Sequence, residues 1–64
     1  MRDPNRLDGF YEELKQIHKE NFPDWRFGQF IMNFLSWNGD PFYLEEDRFI
    51  TRIKEYVKVV NFNA

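Results

Sequence analysis

From Trp25 to Trp37 the chain is dominated by apolar positions at helical spacing. At about 100° per residue, Phe27, Phe30, Ile31, Phe34 and Trp37 share one broad face. Leu35 and Met32 widen that face on one side. The pattern predicts a helix over residues 25–36 that is apolar around most of its circumference, the signature of a helix packed between others. Three polar residues interrupt it. Arg26, Gln29 and Asn33 fall at i, i+3 and i+7 and form a second, narrower stripe.

Two amphipathic segments flank this one. In the first, Leu7, Phe10, Tyr11, Leu14, Ile17 and His18 recur at three- to four-residue steps, while Arg6, Glu12, Glu13, Lys15, Gln16 and Lys19 take the other faces. Asp3 is placed to cap this helix, and Pro4 suits its first position because it has no N–H to lose. Gly9 sits opposite the stripe. Asn21 is expected to close the helix in the left-handed conformation, with Phe22 folding back onto Ile17 and Pro23 barring continuation. Asp24 is then the expected cap of the central helix. A connection this short makes the first two helices antiparallel or steeply crossed neighbours.

Asn38-Gly39-Asp40-Pro41 is dense turn chemistry and ends the central helix. Phe42-Tyr43-Leu44 reads as an extended connector. The last helix opens near Glu45-Glu46-Asp47, three carboxylates against the positive end of its dipole. It buries Phe49, Ile50, Ile53, Tyr56, Val57 and Val60, leaving Arg48, Thr51, Lys54, Glu55 and Lys58 outside. Asn61-Phe62 repeats the Asn21-Phe22 exit, with Phe62 reaching back to Val57. Gly28, inside the central helix, is expected to allow a close helix–helix approach. The expected fold is all-α: one compact three-helix domain spanning residues 1–64 with an aromatic-rich core.

Composition explains how so short a chain builds a core. A 64-residue domain buries only roughly 60% of the surface its unfolded chain exposes, and such domains usually lean on a disulfide, a metal or an oligomer. Without cysteine there is no disulfide or thiolate site, and a single His does not assemble a zinc centre. Eight Phe, three Tyr and two Trp remain. Each ring buries on the order of 150–250 Å² when enclosed, so a few suffice for a core and the surplus marks a contact surface. The net charge of −2 argues against general affinity for nucleic acid or anionic membrane. No apolar run approaches the roughly 18 residues of a spanning helix, and the N-terminus lacks a signal-peptide pattern, so a soluble cytoplasmic protein is expected.

Arg26-x-Gly28-Gln29 with Asn33, followed by Asp40-Pro41-Phe42-Tyr43-x-Glu45-Glu46, resembles a family of short uncharacterised proteins of bacteria and their phages. These carry an R-x-G-Q segment, an Asn four residues on, and a D-x-F-Y-x-E-D/E segment before a last helix. The second acid of the later motif is Glu46 here, or Asp47 if the register slips by one. The likeness covers nearly the whole chain. It implies a compact helical domain and carries no activity with it.

The candidate chemistry is one of recognition. Buried amides need partners, so Gln29 and Asn33 are expected to bond the backbone of the 38–44 loop, with Arg26 paired to Asp40, Glu45 or Glu46. The other reading makes Arg26, Gln29 and Asn33 a contact point. Trp25, Trp37, Phe42 and Tyr43 are the rings the three stripes account for least, and aromatic and Arg side chains are the usual anchors of protein interfaces. Asp40, Glu45, Glu46 and Asp47 lack the alternation and central Gly of a calcium loop, so neither metal nor cofactor is expected. His18 lies at the edge of an apolar stripe, without the converging partner that acid–base catalysis needs, and no enzyme is expected. A helix-turn-helix nucleic-acid reader is the alternative, kept open by Arg48, Arg52, Lys54 and Lys58. Against it stand the long turn before the last helix and that helix's acidic start. The favoured function is a small protein–protein interaction module (adaptor, inhibitor or subunit) whose partner is another protein or a second copy of the chain.

Overall fold

The computed structural model describes residues 2–62, which form three helices in the order α1 (Arg6–Asn21), α2 (Phe27–Asn38) and α3 (Glu46–Phe62). The chain winds one tight turn before α1. Asp3 Oδ1 accepts the Asn5 N–H at 2.9 Å, and the N–H groups of Arg6 and Leu7 donate to the carbonyls of Asp3 and Pro4, each at 3.2 Å. Asp3 therefore braces this turn and Asn5, not Asp3, flanks the helix. The exit also differs from expectation. No residue except Gly39 has a positive φ among the described residues, and Asn21 stays helical, its Nδ2 donating to the Ile17 carbonyl at 3.0 Å. Phe22 breaks the helix with φ −138° while its N–H still reaches the His18 carbonyl. That extended step turns the Phe22 ring into the core, where it stacks on Trp25 with centroids 4.3 Å apart and planes 9° from parallel.

The central helix runs two residues later than the pattern predicts. Its N-cap is Arg26 rather than Asp24, because the Gln29 side chain reaches back to accept the Arg26 N–H at 2.8 Å. This is the return half of a capping box; a guanidinium has no acceptor for the forward half. Gly39, at φ 90°, ends α2 in a conformation that favours glycine, and its N–H satisfies the Leu35 carbonyl at 2.8 Å. The 42–44 segment is then a turn and not an extended connector. Asp40 Oδ1 accepts the Phe42 N–H at 2.9 Å, and the Leu44 N–H closes on the Pro41 carbonyl at 2.9 Å.

α1 and α3 lie side by side and run in the same direction. Arg6 pairs with Glu46 at their starts, Phe10 meets Phe49 edge-on at 5.7 Å, and Glu13 pairs with Lys54 further along. α2 crosses them and meets α1 mainly at the connecting corner, where Phe30 stacks on His18 at 4.8 Å. The core between the helices is Leu14, Ile17, Phe22, Phe30, Phe34, Ile50, Ile53 and Tyr56. The molecule is elongated, with a radius of gyration of 12.1 Å against the roughly 10.7 Å expected of a rounder domain of this length.

Several apolar positions lie outside this core. Phe27 and Met32 are 58% and 65% exposed, so neither belongs to the buried face of α2. Phe62 continues α3 rather than folding back on Val57, and its ring is 90% exposed. A Cβ on Gly28 would meet nothing within 4 Å, so this glycine serves no close approach inside the molecule. The same is true of Gly9.

Phe34 is the ring on which the packing turns. It is fully enclosed and meets Phe49 at 5.2 Å and Tyr56 at 5.9 Å, both edge-on. Truncating such a ring costs about 3–5 kcal/mol. At about 0.05–0.15 kcal/mol per residue the whole domain holds only about 3–10 kcal/mol. Phe34→Ala is thus expected to abolish the cooperative thermal transition followed by far-UV circular dichroism, or to lower its midpoint by tens of degrees.

Candidate interaction surface

The polar stripe of α2 faces solvent. Arg26, Gln29 and Asn33 are all exposed, and none bonds the 38–44 loop. Gln29 is occupied in capping its own helix, which its position three residues after Arg26 signals. Arg26 forms no ion pair and Asn33 no side-chain hydrogen bond among the described residues, so the expected pairing of Arg26 with Asp40, Glu45 or Glu46 does not occur. Glu45 and Glu46 are taken by Arg2 and Arg6 from the N-terminal segment.

The four unassigned rings divide into two pairs. Trp25 and Trp37 are engaged within the molecule. Trp25 covers Phe22, and its carbonyl accepts the His18 Nε2–H at 2.8 Å, which ties the end of α1 to the start of α2. Trp37 lies 5.6 Å from Tyr56 and beneath the Arg52 guanidinium, whose carbon is 4.7 Å from the ring centroid. Arg52 also donates Nε–H to Asn38 Oδ1 at 2.7 Å and pairs with Glu55, locking the last turn of α2 onto α3. Sequence periodicity could not show this clamp, since fourteen residues separate Arg52 from Asn38. Phe42 and Tyr43 are different. They are 77% and 91% exposed, they pack edge-on against each other at 4.8 Å, and the two hydrogen bonds of the 40–44 turn fix their backbone.

Beside the turn, α1 and α3 enclose an open groove of about 460 Å³. Phe10 and Ile50 are its apolar lining, and Arg6, Glu13, Glu46 and Lys54 are the charged residues that pair across it. The Arg6 Nε–H bond to Glu46, at 2.6 Å, holds the Glu46 carboxyl below its ordinary range. The parallel setting of α1 and α3, which no local pattern signals, makes this groove. No group of three or more His, Asp or Glu among the described residues is placed to hold a metal ion. None of their helices is long and apolar enough to cross a membrane.

Two measurements check these assignments. In urea titrations Gln29→Ala should lose roughly 0.5–1 kcal/mol through the lost cap, while Asn33→Ala should stay within about 0.5 kcal/mol of the parent. A larger loss at Asn33 would mean a structural partner for its amide. The second concerns acid. A carboxyl depressed in the folded state contributes stability that is present above its unfolded value, near 4.5, and is lost as pH falls below it. The unfolding midpoint should therefore fall on acidification below that pH, and Glu46→Gln should flatten the decline.

Set against models of known protein families, characterised proteins and solved structures, the chain matches none.

Proposed function

We propose that the protein is a small, non-catalytic interaction module, an adaptor, inhibitor or subunit, that docks a protein partner on the aromatic turn at 40–44. The observation that carries this is the exposure of Phe42 and Tyr43 on a hydrogen-bonded backbone. Aromatic rings left open to water are a standing cost that a partner relieves, and they are the residue types that dominate binding energy at interfaces. A fixed turn loses little conformational entropy on docking, so more of the contact energy becomes affinity. The groove beside the turn adds room for a neighbouring side chain of the partner.

The nucleic-acid alternative draws less support. Five of the nine Lys and Arg side chains, Arg2, Arg6, Lys15, Arg52 and Lys54, are already paired with carboxylates. Phosphate binding needs such cations free and clustered.

The test compares the parent with a Phe42→Ser/Tyr43→Ser variant as affinity baits in extract of the native host, with quantitative mass spectrometry. Both proteins should unfold at the same midpoint, since the two rings are exposed. A partner enriched by the parent should drop by roughly thirtyfold or more on the variant, the equivalent of about 2 kcal/mol. Equal recovery on both baits rules the turn out as the contact.

A further inference from the structure

Every charged residue of the protein lies outside α2: none of its 20 Asp, Glu, Lys and Arg side chains occurs between Phe27 and Asn38. At 100° per residue, Gly28, Gln29, Met32, Asn33 and Ser36 fall within an arc of about 140° opposite Phe30 and Phe34. All five are exposed. A solvated helix face normally carries charge. This one is neutral, has Met32 65% exposed at its centre, and holds a glycine that the molecule's own packing does not use.

We propose that this face pairs with the same face of a second copy, the two α2 helices running antiparallel about a two-fold axis near Met32. Symmetry and charge both select that occupant. In an antiparallel pair about such an axis, residues on one flank of a helix meet those on the same flank of its copy. Gln29 and Asn33 share a flank, so amides that each donate and accept lie alongside their own kind. Gly28 lies on the opposite flank, four residues before Met32, and so stands beside the other copy's Leu35, three residues after it on that same flank. Gly28 then allows the close backbone approach that it does not provide within the monomer. Arg26, on the flank of Gln29 and Asn33 and without an ion pair among the described residues, is carried to the C-terminal end of the other copy's α2. That end has no basic residue of its own in its last turn, and Arg52 of α3 bonds the Asn38 side chain there rather than a helix carbonyl, so the negative pole of the helix dipole is presented to Arg26. Two molecules of net charge −2 repel through their acidic faces, and this face brings no like charges together. The helix is only about 18 Å long, so the contact falls short of the roughly 800 Å² per partner of a stable interface. The dimer is accordingly a weak one, which sets the concentrations at which it is sought.

Sedimentation equilibrium from about 10 µM to 1 mM tests it. The parent should pass from its mass of 8.0 kDa towards twice that value. Met32→Glu and Met32→Lys, at an exposed position, should keep the parent's helical spectrum and each raise the dissociation constant at least tenfold. An equimolar mixture of these two variants should associate again, because a residue on the axis faces its own copy. Arg26→Ala should weaken the dimer without affecting unfolding. The Phe42→Ser/Tyr43→Ser variant should dimerise like the parent, which separates this surface from the aromatic turn. A parent that stays monomeric at 1 mM overturns the proposal, as does a dimer indifferent to charge at Met32 or one lost with Phe42 and Tyr43.

Discussion

Enclosing enough apolar surface in 64 residues without a disulfide is the constraint the structure answers, and it does so through Phe34. Its ring spans the space between Phe49 and Tyr56, more than one helical turn apart on α3, with Trp37 alongside at 6.4 Å. One side chain thereby anchors α2 on α3. The second enclosed ring, Phe30, lies against His18 and Phe22 and does the same for the corner between α1 and α2. Because both anchors point from α2, the remaining helices are free to lie parallel, sewn by the Arg6–Glu46 and Glu13–Lys54 pairs. Those pairs are exposed enough that their contribution is small beside the rings. They set register more than stability.

What the sequence made legible follows from this division. The buried positions Leu14, Ile17, Phe30, Phe34, Ile50, Ile53 and Tyr56 all fall on the stripes predicted by helical spacing, because burial there depends only on which way a residue points. Errors collect at helix ends, where spacing says nothing about what stands opposite. Phe27 continues its stripe faithfully yet stays in water, and Phe62, expected to fold back on Val57, instead extends α3 on the side of Thr51, Glu55 and Lys58. The caps depart from expectation for a related reason. Asp24 and Asn21 have the right chemistry, but Gln29 reaches the free N–H of Arg26 first and Phe22 gains more by turning inward than by allowing Asn21 a left-handed exit. The 40–44 turn was recoverable, since an Asp before a Pro is well placed to accept the Phe42 N–H.

The candidate surface was harder to read. The polar stripe on α2 is real as a pattern, but the expectation that it must be buried came from the apolar look of the whole helix. α2 is instead packed on one side only, and its neutrality reflects an outer face without charge. The groove between α1 and α3 was invisible because it depends on two helices far apart in sequence running in the same direction.

Five of the thirteen rings, Tyr11, Phe27, Phe42, Tyr43 and Phe62, are more than half exposed, which a small core makes unavoidable. Their settings are not equivalent. Tyr11 lies on the flank of α1 with its ring edge-on to Phe10, and Phe27 lies 6.4 Å from His18 at the start of α2. Phe62 ends the described part of α3. Tyr11 and Phe27 belong to apolar stripes and overshoot the core they were patterned for, while Phe62 lies on the polar side of α3. Phe42 and Tyr43 belong to no stripe. A turn of this geometry needs Asp40, Pro41 and backbone N–H groups, and it would form equally well with small polar residues at both ring positions. Fold stability therefore does not explain two adjacent aromatics there, and the docking proposed above would give them a role.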